Sequence, residues 1–473
     1  MNVQSFQNGL IALAVLFGFL FLGAFLRAKV ALFRRWMLPA SVIGGFIGLL
    51  LGPQIWGERA PLPFPEDWTL LWQVLPSILI IPVFAASPLG MFMDGKKTKG
   101  RLRAMFPTVL MMTGIFSLGG SIQYLIGYGV NMAVTAVSPE TELYRTFGYE
   151  LAQGFAGGHG TATALGGIFQ DFGLPWWKTA QGVALTTATV GLIGGTLLGF
   201  IFINRASKKG YLKARSVKQG VSRETLQGYT TDIQAQKSLG RETTIGNSIE
   251  TLSVHLGLLI LASALAILFS RRMRVWVPNL YLPVWFYAML MMYGINYILL
   301  KLKLNWLIDT KVKSRVTGAL SEIAIIAAIM TIPIKAVSTF VVPILIMCVL
   351  GFIATYCVTF PLYRRAFKDD FAFERAIMSW GVNTGVMITG ITLLKTSDPE
   401  MESPVMNDFS MGFALMSVFS LFITPLDYQF IAKGSTFQLF LLNIGVFCFY
   451  ALVASLGVFL KRKQTHGNET HHS

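Results

Sequence analysis

The chain has 473 residues, 53% of them hydrophobic and only 13% charged, and its mean hydropathy is positive. Those proportions exclude an ordinary soluble globular protein and place the chain among polytopic membrane proteins. A net charge of +16 would suggest a nucleic-acid binder in a soluble protein, but here most basic residues sit in short loops between apolar spans, so no nucleic-acid partner is expected.

Spans of about 20 apolar residues cross a bilayer. Five are expected in the first half, at roughly 9–26, 37–52, 71–93, 105–130 and 179–203. The first has no basic residues before it and reads as a retained span, not a cleaved signal. The second has Pro39 in its first turn and extends back toward Trp36. The third carries Pro76, Pro82 and Pro88 and is expected to kink. Between the fourth and fifth spans lies a Gly-rich stretch at about 147–170. A polar segment, 206–248, then reads as a flexible cytoplasmic linker. The second half repeats the plan at roughly 251–269, 281–300, 317–334, 338–361 and 408–427, with a second Gly-containing stretch at 376–396. An eleventh span, about 436–460, has no counterpart in the first half. Cys348, Cys357 and Cys448 all lie in apolar runs and offer neither a disulfide framework nor metal-ligand spacing.

Placing the N-terminus outside puts thirty Lys and Arg residues in inner loops, Lys96 and Lys97 among them, against eight outside, with Lys395 unassigned. The outer group includes Arg145 and a cluster, Arg271, Arg272 and Arg274, that runs against the trend. Five spans per half is an odd number, so the second half enters from the opposite side. The expected fold is therefore an all-α polytopic membrane protein: two inverted repeats of five transmembrane helices (1–205 and 249–430), each with a re-entrant hairpin, plus one extra C-terminal helix (431–473).

The stretch 151–169 carries the strongest local signal. Gly157, Gly158 and Gly160 each cost about 1 kcal/mol relative to Ala inside a helix, and together they argue for a break. A break inside hydrocarbon is tolerated only where protein or a water-filled cavity surrounds it. Two half-helices meeting at 157–160 would let Thr161 open the second, its free N–H groups facing an anion. The carbonyls ending the first would suit a cation such as Na⁺. A Gly-packed helix contact would give the same composition. His159 serves either as a donor to a substrate carboxylate or as a pin for the loop. Thr186, Thr187 and Thr189 on the fifth span are candidate Na⁺ ligands, although threonine in a helix more often bonds its own backbone. In the second hairpin, Gly381, Gly385 and Gly390 repeat the breaking pattern, and Asn383, Thr384 and Thr389 supply donors and acceptors. Asp427 in the tenth span completes the candidate sodium site or is a solvated boundary residue, and Glu322 is equally ambiguous. Gln123 reads as a helix–helix hydrogen bond. No Gly-x-Ser-x-Gly, Walker loop or His-Glu-x-x-His motif is present, so no enzyme is expected and the energy source is an ion or substrate gradient.

The sequence at 157–162 together with 182–195, and the run 35–45, resembles the bacterial sodium/glutamate symporter family. The resemblance covers most of the first 205 residues. The second half departs in detail, with Trp380 and Asn383 in a stretch the family fills with glycine and small residues. The resemblance implies a secondary transporter of the bacterial inner membrane that couples Na⁺ to L-glutamate or a related small anion, working as a homodimer. The two breaks, read from their residues, give the candidate substrate-binding set Gly157, Gly158, His159, Gly160, Thr161, Gly381, Asn383, Thr384 and Gly385. A hydroxycarboxylate carrier, proton coupling, and a channel are the alternatives.

Overall fold

The computed structural model describes every residue except 1–2, 36–37, 87, 91–98, 213–226, 228, 237, 278–281, 369, 399–402 and 470–473. Lys96, Lys97, Trp36 and the middle of the expected linker thus lie outside the described residues. Among those described, regular structure is helical throughout, without strands. Numbered in chain order, the longer helices are α1 Val3–Lys29, α2 Ala40–Leu51, α3 Glu66–Ala85, α4 Lys99–Val137, α5 Tyr149–Phe155, α6 Gly158–Asp171 and α7 Trp177–Lys208. They continue with α8 Thr251–Trp276, α9 Val284–Lys301, α10 Thr310–Met330, α11 Val341–Phe367, α12 Ala372–Ser397, α13 Val405–Lys433 and α14 Thr436–Glu469.

Ten helices among the described residues are long and apolar enough to cross a bilayer, one fewer than the eleven expected. The missing one is the span expected at 317–334. It folds as α10, whose first turns hold Lys311, Lys313 and Arg315 and whose middle holds Glu322, which dilutes its apolar stretch. The other expected spans match helices to within a few residues, except that α3 ends at Ala85, short of Pro88.

The chain divides into two compact units. One comprises Met1–Asp94, Thr163–Gly182 and Glu224–Val337; the other comprises Gly95–Ala162, Val183–Arg223 and Ser338–Ser473.

In the first unit, α1 and α2 cross at Gly23 and Gly44. A Cβ on Gly23 would fall 2.1 Å from the Ala40 carbonyl oxygen, and one on Gly44 2.2 Å from that of Phe19. Such close backbone approach is how helices associate where lipid removes the hydrophobic drive. Asn296 on α9 closes the turn after α3: its Oδ1 accepts from the Gly90 N–H at 3.1 Å and its Nδ2 donates to the Pro88 carbonyl at 3.2 Å. Arg274, from the cluster that ran against the charge rule, pairs with Asp171 at 3.4 Å. Arg272 of the same cluster lies over the Trp276 ring.

Part of the stretch expected to be a flexible linker is tied to this unit. Arg241 pairs with Asp309 at 3.1 Å, the Thr243 hydroxyl donates to the Leu307 carbonyl, and the Thr243 and Thr244 N–H groups donate to Thr251 Oγ1. Asp309 caps α10 by accepting from the N–H groups of Lys311 and Val312. Its burial alone would push the carboxyl up, but the Val312 and Lys311 amides and the Arg241 guanidinium outweigh that and hold it below the ordinary aspartate value. The Asp309 N–H donates to Nε2 of the buried His255, whose Nδ1 then donates to the Thr251 carbonyl.

In the second unit α4 is central. Its Gly114 lies against Ala454 of α14, and its Thr113 hydroxyl donates to the Gly412 carbonyl of α13 at 3.0 Å. A buried ion pair, Arg375 to Asp408 at 2.6 Å, joins the start of α12 to α13, and the Arg375 guanidinium also sits 4.3 Å over the Phe367 ring. Large apolar side chains on α11, including Leu345, Val349 and Ile353, are exposed, a face suited to lipid.

Candidate functional site

Both Gly-rich stretches are helix breaks, and within the second unit they touch. At the first, α5 ends at Phe155, the chain turns through Ala156 and Gly157, and α6 begins at Gly158. Gly158 has φ +65°, a left-handed conformation that a side chain disfavours. At the second, α12 is interrupted at Gly385 (φ −154°, ψ 28°) and Val386 (φ 67°, ψ 175°). A Cβ built on Gly381 would lie 2.6 Å from the Gly390 Cα. Nine residues of straight helix would separate these two by about 13 Å, so α12 doubles back on itself. A Cβ on Gly158 would fall 2.2 Å from Val386 Cγ1, which sets the first break against the second.

The expected start of the second half-helix at Thr161 needs correction. The helix opens three residues earlier, so the free first-turn N–H groups are those of Gly158, His159, Gly160 and Thr161. Gly160 is not in a left-handed conformation, and a Cβ there meets nothing within 4 Å. The backbone demand assigned to Gly160 therefore falls on Gly158. Gly157 is constrained differently: a Cβ on it would strike the Thr161 side chain at 2.5 Å.

His159 is buried, with Nε2 3.0 Å from Thr189 Oγ1. The single Thr189 proton goes to the Leu185 carbonyl at 3.0 Å, so Nε2–H donates and Thr189 accepts. A neutral imidazole then has only an acceptor at Nδ1 and cannot donate to a carboxylate. The contact supports the pinning role for His159.

The remaining candidates are held by backbone. Thr187 is fully buried and its hydroxyl faces the carbonyls of Ala184 and Glu150, each at 2.9 Å. Thr186 is half-buried beside it on α7. Asp427 lies beside Tyr149 and Asn443, and its Oδ1 is buried with no hydrogen-bond partner among the described residues. Thr187 and Thr189 bond helix carbonyls, so none of these contacts joins Asp427 to the threonines. Thr384 donates to the Trp380 carbonyl, and Thr389 donates to that of Gly385. Asn383 is buried and donates to the Phe116 carbonyl at 3.0 Å. Gln123 bridges helices as expected, its Nε2 donating to the Asn383 carbonyl at 2.7 Å and to Thr355 Oγ1 at 3.0 Å. Trp380 is fully buried among Phe202, Phe352 and Phe360, its indole N–H on the Gly195 carbonyl.

One residue that sequence reasoning passed over is Glu150. It is completely buried and accepts from the Gly148 N–H at 2.7 Å and the Tyr144 hydroxyl at 2.8 Å, which fixes the entry to α5. An acid in an otherwise apolar stretch was the available signal.

Residues 6–386 match the profile of the family described as sodium/glutamate symporter. The chain belongs to that family. The match ends at Val386, within the second break, so the returning arm of α12 and helices α13 and α14 lie beyond it. No curated protein sequence matches the chain. Membership makes the chain a membrane transporter of the symporter type, which is not an enzyme class.

Proposed function

We propose that the chain is a sodium-coupled symporter carrying glutamate or a related small anion across the bacterial inner membrane. The observation that carries this reading is the meeting of the two breaks at Gly158 and Val386. A helix start with four free N–H groups favours an anion, and interrupted backbone offers carbonyls to a cation. On this reading each half is an inverted repeat: three helices, then a helix, a re-entrant hairpin and a closing helix. The first hairpin dips from outside and the second from inside, with the N-terminus outside and the C-terminus cytoplasmic. The protein works as a homodimer. The Gly157–Thr161 backbone, with the backbone at Gly381, Asn383, Thr384 and Gly385, frames the substrate, and His159 and Thr189 hold the first tip in shape.

Uptake of labelled glutamate into proteoliposomes tests the reading. Accumulation is expected with an inward Na⁺ gradient and lost when Na⁺ is replaced by K⁺. Uptake that ignores Na⁺ and follows a proton gradient would replace sodium coupling with proton coupling. Flux without accumulation would indicate a channel. A citrate-type hydroxycarboxylate that competes better than glutamate would reassign the substrate.

A further inference from the structure

Besides the candidate sodium ligands on α7 and Asp427, a different group of buried oxygens stands out in the second unit. It lies on the seam between α4 and α11, beside the second break. Gln123 on α4 faces Thr355 on α11 at 3.0 Å. One turn away, Gly119 faces Thr359: a Cβ on Gly119 would fall 3.0 Å from Thr359 Oγ1 and 2.5 Å from Asn383 Nδ2. Asn383 is thus wedged into the seam two residues before the break at Gly385, with its carbonyl accepting from Gln123.

Among the described residues, two oxygens of this seam find no hydrogen-bond partner although their residues are fully buried: Gln123 Oε1 and Thr359 Oγ1. A buried polar atom left unpaired is costly, and a native structure keeps one for a reason. The amide donors in the seam are already spent. Gln123 Nε2 serves two oxygens, and Asn383 Nδ2 serves the Phe116 carbonyl. What remains is mostly oxygen lone pairs, on Gln123 Oε1, Thr359 Oγ1 and the Asn383 oxygens, with a Thr359 O–H that can rotate away from a bound cation. Such a set suits a hard cation better than an anion. Gln123, Thr355, Thr359 and Asn383 are all neutral, which suits a single charge and disfavours Ca²⁺ or Mg²⁺, whose sites use carboxylates.

We propose that Gln123, Thr359 and Asn383 form a binding site for a monovalent cation, the coupling sodium ion, at the α4–α11 seam. This rests on the sodium-coupled reading above and adds the residues to it. The seam also gives a route for coupling, because Asn383 belongs to the same arm of α12 that reaches Val386 and, through it, the first break. An ion that fixes Asn383 fixes the tip against which Gly158 rests.

The test compares wild type with Thr359→Val, which removes the oxygen at nearly constant volume, and Thr359→Ser, which keeps it. Each is reconstituted, and glutamate uptake is measured against Na⁺ with K⁺ as the replacement ion. Melting of the detergent-purified proteins is followed with Na⁺ and no glutamate. The Na⁺ concentration for half-maximal uptake is expected to rise roughly tenfold or more in Thr359→Val, and more than the glutamate half-saturation does. Thr359→Ser is expected to restore it to within about threefold. The Na⁺-induced rise in melting temperature shrinks in parallel. If Thr359→Val does not fold, Gly119→Ala takes its place, since its Cβ would crowd both Asn383 and Thr359. Sodium-dependent wild-type uptake with unchanged Na⁺ dependence in these variants overturns the site and leaves sodium coupling standing. Wild-type uptake that is indifferent to Na⁺ overturns both.

Discussion

The two helix breaks meet at one point and are made in opposite ways. The first places its left-handed residue at Gly158, where the absence of a Cβ makes φ +65° inexpensive. The second places it at Val386, a β-branched residue for which φ 67° is strongly disfavoured. The first break is written into its own residues. The second is imposed by what surrounds it: Thr384 against Gly191 and Gly195, the close pair Gly381 and Gly390, and Asn383 in its seam. Their bases differ as well. Glu150 holds the first by accepting from the Gly148 amide and the Tyr144 hydroxyl, and the Arg375–Asp408 pair holds the second. A locally coded break tolerates change around it and not within it; an imposed one does the reverse.

The largest expected effect breaks the contact itself. Gly158→Val forces a side chain into a left-handed conformation and against Val386, and uptake is expected to fall by about two orders of magnitude with the protein still inserted. In Gly158→Ala the clash is smaller, and adding Val386→Gly is expected to recover part of the lost uptake. Without such recovery, the two breaks do not act on one another.

Next comes the base of the second break. Arg375→Met leaves Asp408 charged and unpaired in an apolar cluster, at an expected cost of about 3–5 kcal/mol in thermal unfolding. Adding Asp408→Leu is expected to return most of that loss, because an apolar pair of similar volume is near neutral there. A double variant as unstable as the single one would mean that the guanidinium acts mainly through Phe367 and Asp370.

The third is smaller and concerns the pin. His159→Leu and Thr189→Val each remove one hydrogen bond, worth about 1 kcal/mol. In a double-mutant cycle on melting the two are expected to be non-additive by a similar amount. Independent effects would release His159 from the pinning role and return it to the substrate.

The smallest effect is a gain. Gly160 lies in the first turn of α6 with open space around it, so Gly160→Ala is expected to stabilise by about 0.5–1 kcal/mol and leave uptake near wild type. Strong loss of uptake would mean that the substrate occupies the open space beside Gly160.

This contrast also marks how far the sequence can be read. The spans were legible because apolar length is set by bilayer thickness, and α10 stands out least among them because its charged first turns shorten the apolar run to Ile323–Met330. A cluster of glycines announced the first break without saying which glycine carries the left-handed conformation, since Gly158 and Gly160 are equal on composition and differ only in φ. The second break was legible as a Gly-containing stretch, but nothing about a valine says that it will be the residue bent. Threonine misled for a simpler reason. The hydroxyls of Thr187, Thr189 and Thr384 look available in a sequence and are spent on helix carbonyls in the fold. The oxygens left over, on Gln123 and Thr359, come from residues 236 positions apart that no local pattern joins.

Arg145 sits in the segment between α4 and α5, where a sequence shows only an exposed-looking loop with a basic residue. Its guanidinium instead reaches the carbonyls of Phe430, Ala432 and Gly434 at the end of α13. The Thr436 hydroxyl donates to the Arg145 carbonyl, and Asn131 donates to the carbonyls of Tyr144 and Phe147 on either side. A protease must draw out several residues of extended chain before it can cut, and loops yield to it only when their backbone is free. Here that backbone is fastened at three carbonyls around the basic residue, and its side chain is held as well. To trypsin, the bond after Arg145 is a cleavage site in the unfolded chain that the folded protein withdraws, so its cutting reports the release of this loop from α13.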